Sequence, residues 1–283
     1  MVKIGEYNEL KVARKSDFGF FLDAETGSTS DDILLPIKDI KEEDSIEIGS
    51  LLNVFIYRDS KDRPIATTRT PYAKVSDIAY LKVVSNTKIG AFLDFGLERD
   101  LFVPIKEQSY LLEPNKKYLF YVYLDKTGRL AATTYIDKFL ETLEDDEVLK
   151  NELSGTVYGF QSNGTIMLAI NNKYKGVILK NECFIKVTHG DVLSNLRFKR
   201  KYEDGQIGLT TRKYPKNERM ELETTIYEYL KKNNGFMPYN DKSSPEDIKR
   251  VFHESKNYFK NALGGLMKKG LITQDKSGTK LVK

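Results

Sequence analysis

Few side chains in this sequence have the chemistry of a catalytic or metal centre. The 283 residues include two histidines, His189 and His253, and one cysteine, Cys183. Zinc sites draw on several Cys and His together, and a disulfide needs two thiols. The composition therefore argues against both. Cys183 stands between Glu182 and Phe184 with no His nearby, and it reads as a small packing residue, not a nucleophile. No phosphate-binding glycine loop, dinucleotide fingerprint or nucleophile elbow occurs. Asp23, Asp59 and Asp94 carry carboxylates of the kind a nuclease uses, yet each falls where a hairpin needs a turn residue. The expectation is a non-enzymatic protein with no cofactor and no metal.

What remains is a set of rings and cations. Phe18-Gly19-Phe20-Phe21 is echoed by Ile89-Gly90-Ala91-Phe92, and Asp59 with Arg63 is echoed by Asp125 with Arg129. Exposed rings stack on nucleobases, with roughly 1–3 kcal/mol per base and little demand on sequence. A guanidinium can hold a phosphate or stack on a base, or it can close a hairpin by pairing with its own Asp. The candidate binding residues are accordingly Phe18, Phe21, Phe92, Arg63 and Arg129. To these are added the basic run Arg197, Lys199, Arg200 and Lys201, and the helical lysines Lys256, Lys260 and Lys268. A regular strand sends residues i and i+3 to opposite faces. One of Phe18 and Phe21 is thus expected in the core, unless a bulge near Gly19 presents both.

The elements that must position these residues come in repeats. Gly19, Gly90 and Gly164 lie 71 and 74 residues apart, one small domain per repeat. Each repeat has short β-rich runs broken by turns such as Asp59-Ser60-Lys61-Asp62, Asp125-Lys126-Thr127-Gly128 and Glu203-Asp204-Gly205. Units of about 65–70 residues with five strands fit the OB-type barrel. The fold class is mainly β with an α/β tail: three tandem five-stranded barrels over 1–70, 71–136 and 151–213, the third degenerate. Phe139, Leu140 and Leu143 have helical spacing, which predicts an acidic linking helix over 137–150. In the tail, 217–283, Ser244-Pro245-Glu246-Asp247 is a helix start, and three helices precede a hairpin around Asp275-Lys276-Ser277-Gly278, the winged-helix order.

The repeats resemble S1 RNA-binding domains, a branch of the OB-fold. Phe18-Gly19-Phe20-Phe21 matches that family's Phe-Gly-x-Phe pattern, and both Asp-x3-Arg pairs have its spacing. Where the pattern has a His, this chain has Pro36 and Pro104; in the third repeat Asn163 and Ile166 take the aromatic places, with Tyr202 and Gln206 near the Asp/Arg positions. Three such barrels and a winged helix are similar to the conserved virulence factor B family, bacterial RNA-binding proteins that regulate virulence-gene expression after transcription. The resemblance implies a single-stranded RNA partner, messenger RNA in particular, with ribosomal or RNA-processing proteins as further partners.

Charge agrees in a modest way. The formal net charge is +4, and Lys216–Lys283 carries 14 Lys+Arg against 9 Asp+Glu, while the preceding 215 residues carry 31 against 32. No run of about 18 apolar residues and no apolar N-terminal stretch is present, so the expected location is the cytoplasm, away from membranes. Two other readings stay open: a protein-docking adapter on ribosome, polymerase or nuclease, and a duplex-DNA regulator acting through the winged helix.

Overall fold

The computed structural model describes residues 2–40, 46–143, 153–212 and 215–282. Two compact units divide the chain at Thr211/Arg212. The first holds three closed barrels of one topology. Barrel 1 is built from β1 (Tyr7–Ser16), β2 (Gly19–Leu22), β3 (Ile33–Pro36), β4 (Leu51–Arg58) and β5 (Pro64–Thr67), in the ring order β1-β2-β3-β5-β4. Barrel 2 repeats this order with β6 (Ile78–Asn86), β7 (Gly90–Leu93), β8 (Leu101–Pro104), β9 (Lys117–Leu124) and β10 (Leu130–Thr133). Barrel 3 does so with β11 (Leu153–Phe160), β12 (Ile166–Ile170), β13 (Tyr174–Ile178), β14 (Val192–Lys201) and β15 (Ile207–Thr210). The third and fifth strands run parallel in each, and the remaining pairs are antiparallel. Closure leaves no sheet edge unpaired. Alternate residues fill each interior, for instance Val12, Leu22, Leu35, Ile56 and Ala66 in barrel 1.

A Thr-Thr pair closes every barrel. After the third strand comes one 3-10 turn ending at Asp39, Glu107 or Glu182. The backbone carbonyl of that residue accepts the hydroxyl of Thr67, Thr133 or Thr210 at 3.0, 3.2 and 2.9 Å. It also accepts the backbone N–H of Thr68, Thr134 or Thr211 at 3.1, 3.0 and 3.1 Å. The threonines thus tie the fifth strand to the loop beyond the third and satisfy a carbonyl that would otherwise lack a partner.

The fourth strands explain how barrels join. Val54-Phe55-Ile56-Tyr57 is buried without alternation, because both faces are covered. Val54 and Ile56 point into barrel 1, whereas Phe55 and Tyr57 pack with Phe95, Leu101 and other residues of barrel 2. In β9, Tyr118 and Phe120 belong to the barrel 2 core, while Leu119 packs with Ile136, Leu140, Tyr158 and Ala169 at the junction with barrel 3.

The segment between barrels 2 and 3 departs from the expected helix over 137–150. Residues 144–150 lie outside the described residues. Asp137–Phe139 forms a single 3-10 turn, and Glu141 then bridges Tyr174 in extended form, exchanging backbone hydrogen bonds with Lys173 and Lys175 at 2.9 Å each. The apolar residues serve the junction instead of a helix stripe. Phe139 stacks on Tyr121, and Leu140 and Leu143 are buried in two different clusters.

The second unit comprises α1 (Pro215–Lys232), β16 (Phe236–Met237), α2 (Pro245–Phe252), α3 (Lys256–Lys268), β17 (Ile272–Asp275) and β18 (Gly278–Leu281). Ser244 Oγ accepts the Asp247 N–H and Ser255 Oγ accepts the Tyr258 N–H, so α2 and α3 are both N-capped. The three strands form one small sheet, with β18 central. Leu222, Ile226, Ile248, Phe259, Leu263 and Leu266 fill the core between helices and sheet.

Candidate nucleic-acid interface

In barrel 1 the outward position of β2 is Phe21, opposite Leu34 of β3. Phe20 turns the other way and packs against the core. A bulge does exist, but it lies in β1 between Val12 and Arg14, not at Gly19. It brings Arg14 opposite Phe21, with the guanidinium carbon 3.8 Å from the ring centroid. Arg14 also reaches Asp32 at 3.4 Å. Phe18 escapes the strand-alternation argument because it belongs to the tight turn between β1 and β2; it is 77% exposed. Gly19 is required there: at φ +150° a Cβ would lie 2.0 Å from the Leu35 carbonyl oxygen.

Barrel 2 carries a two-ring platform. Phe92 sits outward opposite Phe102 of β8, with centroids 5.2 Å apart and planes tilted by 42°. Both rings are half-buried. Ile89, in the place of Phe18, is exposed. Phe102 borders a groove of about 250 Å³ at the junction with barrel 1, where Tyr57, Phe95, Arg58, Arg99 and Arg129 also appear.

Barrel 3 differs by one residue in register. Its first hairpin pairs Gln161 with Thr165 around Ser162-Asn163-Gly164, a loop one residue longer than in the other two barrels. Gly164 therefore occupies the turn, at φ +82°, and does not correspond to Gly19 and Gly90. Counted from the shared bulge, the residue in the place of Phe21 and Phe92 is Met167, opposite Val177 and next to Gly159. Ile166 points inward and is buried.

The two arginines of the Asp-x3-Arg pairs behave differently. Asp59 and Asp125 each accept backbone N–H groups across their hairpin turns. Burial raises the Asp59 pKa, but the Arg63 backbone and side-chain hydrogen bonds outweigh it and hold the carboxyl below its usual range. Arg63 closes its own hairpin, donating Nε and Nη2 to Asp59 Oδ2 at 2.9 and 2.7 Å. Arg129 instead crosses to barrel 1 and grips both carboxylate oxygens of Asp62. Arg58 answers from barrel 1, donating to the Gly128 carbonyl at 2.9 Å. The second pair is thus a clamp between barrels.

The basic run lies on β14. Thr210 faces Arg197, as Thr67 faces Phe55 and Thr133 faces Tyr121. Arg197 therefore occupies the position that barrels 1 and 2 use for docking the next barrel. Lys199 pairs with Glu182 at 3.4 Å, and Arg200 lies over the Tyr202 ring at 5.2 Å. Lys199, Arg200 and Lys201 are exposed and Arg197 is half-buried. In the second unit, Lys256, Lys260 and Lys268 lie on α3 outside its buried stripe of Phe259, Leu263 and Leu266. Those three lysines have no ion-pair partner among the described residues.

Sequence reading missed Arg14, Phe102 and Met167. None of the three carries a local signal: only strand pairing sets Arg14 and Phe102 beside Phe21 and Phe92, and the wider spacing of repeat three already lies before its bulge at Val157, so the one-residue longer loop shows only in the pairing of Gly159 with Met167.

Small closed barrels with outward rings beside guanidinium groups, joined to a winged helix, define a multidomain protein of the nucleic-acid-binding S1 class. The S1 domain family matches residues 4–69 and 77–135, and the CvfB-like winged helix domain family matches 224–281. A relative from Bacillus subtilis strain 168, the uncharacterized protein YitL, is 30% identical over 97% of this chain and 92% of its own length. Conserved virulence factor B of Staphylococcus epidermidis is 28% identical over 87% of this chain and 85% of that one. A Streptococcus pneumoniae crystal structure, described as a multidomain protein with nucleic acid binding domains, shares the fold with a TM-score of 0.53 and 24% identity over 99% and 98% of the two chains. This chain belongs to the conserved virulence factor B family.

Proposed function

We propose that the chain binds single-stranded RNA without catalysing any reaction, and that it regulates gene expression after transcription. The observation that carries this reading is the outward register of Phe21 beside Arg14 and of Phe92 beside Phe102. Rings and guanidinium planes at that place take unstacked bases, the usual mode of sequence recognition in RNA. Phe18, Phe21 and Phe92 serve as base platforms, with Arg63, Arg197, Lys199, Arg200, Lys201, Lys256, Lys260 and Lys268 as phosphate-facing cations. Arg129 acts by fixing barrel 2 against barrel 1. Several weak sites on one strand raise effective concentration for one another. The name of the staphylococcal relatives extends the reading to virulence-gene transcripts, and a messenger RNA ligand places the protein in the cytoplasm. No described helix is long and apolar enough to cross a membrane. Titration of labelled oligo-uridylate with full-length protein, followed by fluorescence anisotropy, tests the reading. Binding whose log affinity falls linearly with log salt is expected; no anisotropy change at low salt refutes it.

The lysines of α3 favour one second reading, duplex DNA in contact with Lys256, Lys260 and Lys268. Competition between duplex and single-stranded probes separates the two. Preference for duplex that vanishes in the triple Lys→Ala variant supports the DNA reading.

A further inference from the structure

We infer that the junction of barrels 2 and 3 is a pocket for one nucleobase, selective for guanine. This inference rests on the RNA-binding reading and names a recognition site within it. A cavity of about 250 Å³ opens there, lined by Tyr110, Tyr135, Tyr158, Phe160, Met167 and His189. Sites for drug-sized ligands span roughly 300–1,000 Å³, so this volume suits a single heterocycle. Met167 stands at the platform position of barrel 3, which means that the third barrel turns its platform toward this cavity.

The lining is built, not incidental. His189 stacks on Tyr110 with centroids 3.9 Å apart and an interplanar angle of 20°, and Phe160 meets the imidazole edge-on at 4.8 Å. The loop carrying His189 is locked to barrel 2, where Tyr80 Oη donates to the Gly190 carbonyl at 2.8 Å. Gly190 fits so closely that a Cβ would lie 2.4 Å from the Lys117 carbonyl oxygen. Burial lowers the His189 pKa below the ordinary imidazole range, so at neutral pH the ring is uncharged. Phe160 and Tyr135 remain 40% and 50% exposed, which leaves aromatic surface accessible at the cavity.

Selectivity comes from Asp137. Its Oδ1 accepts from Tyr158 Oη at 2.7 Å and its Oδ2 from Lys175 Nζ at 3.0 Å. Asp137 also lines the cavity, and an ionised carboxylate only accepts, with about four lone-pair sites, so these two bonds leave it acceptor capacity for a base. Guanine offers two adjacent donors, N1–H and the N2 amino group, to such an acceptor. Adenine and cytosine offer one amino group each. Uracil presents a single imino donor between carbonyl oxygens, which a carboxylate repels.

The two histidines make the test direct. Full-length protein is titrated with the 5′-monophosphates of guanosine, adenosine, cytidine and uridine, and the imidazole C–H resonances are followed by NMR. His253, which ends α2 in the left-handed conformation, is the internal reference. GMP is expected to shift the His189 signals and leave those of His253 in place, with AMP and CMP weaker and UMP weakest. Phe160→Leu, which keeps packing but removes the ring, should weaken GMP about 5-fold or more. Asp137→Asn should abolish the preference among the four. Absence of a His189 shift with all four nucleotides, in protein that still binds oligo-uridylate by anisotropy, overturns the pocket and leaves the RNA reading standing. Equal shifts with all four overturn the guanine assignment.

Discussion

The two-ring platform of barrel 2 yields the sharpest prediction. Phe92 and Phe102 touch across β7 and β8 with centroids 5.2 Å apart, so they present one surface to one or two bases. Each stacked base contributes about 1–3 kcal/mol. Replacing either ring by Leu, the residue barrel 1 has at position 34, should therefore weaken single-stranded RNA binding by about 5- to 150-fold. The rings also steady one another, and touching residues do not act additively. The double variant is expected to lose less than the sum of the single losses, by about 0.5 kcal/mol or more. The assay is anisotropy with a labelled oligoribonucleotide at three salt concentrations, with circular dichroism melts to confirm folding. Stacking carries no counterion release, so the slope of log affinity against log salt should stay at its wild-type value while the intercept falls. Unchanged affinity in a folded Phe92→Leu/Phe102→Leu protein refutes the platform, and an altered slope with an unchanged intercept shows that the rings act through neighbouring cations.

Three further outcomes follow from the structure. Replacing Lys256, Lys260 and Lys268 together by Ala should flatten the salt slope for single strands by roughly 0.7 for each phosphate that these lysines neutralise; an unchanged slope removes α3 from the interface. Gly19→Ala forces a Cβ against the Leu35 carbonyl at a positive φ, and urea unfolding should show a loss of more than about 1 kcal/mol, where a neutral result contradicts the register described. Asp39 is buried with Oδ2 unpartnered, and burial, followed by the Glu98 carboxylate, raises its pKa against the opposing pull of Lys38 and Arg69. A raised carboxyl binds its proton more tightly in the folded state, so its charged form disfavours folding above the folded pKa, and this penalty disappears as pH falls through it. Asp39→Asn should thus stabilise the protein at pH 8, with a smaller gain near pH 4, measured by denaturant unfolding at both pH values.

Much of the architecture was legible in the residues themselves. Short β-rich runs, the doubled Thr pairs and the Asp-headed turns recur because each barrel must curl, close and reverse in the same places, and these are local demands. The helix start at Ser244 is equally local, since its cap bonds to an N–H three residues away. The Phe-Gly-x-Phe pattern likewise marked the correct strand of barrel 1. Over residues 137–143 the expected helix does not form, for a different reason: spacing of Phe139, Leu140 and Leu143 records that they are buried, not what buries them, and the second barrel junction took that role.

The order of chemical types along the chain determined three barrels, a winged helix, and a surface of rings and cations. Tertiary structure alone decided which cations remain available and which rings meet. Arg63 and Arg129 are indistinguishable by spacing, yet one turns back to Asp59 and the other spans to Asp62 in the neighbouring barrel. Such choices depend on strand register and barrel docking, which are set by packing among residues tens of positions apart, and one additional loop residue before Thr165 was enough to put Met167 where the other barrels have phenylalanine.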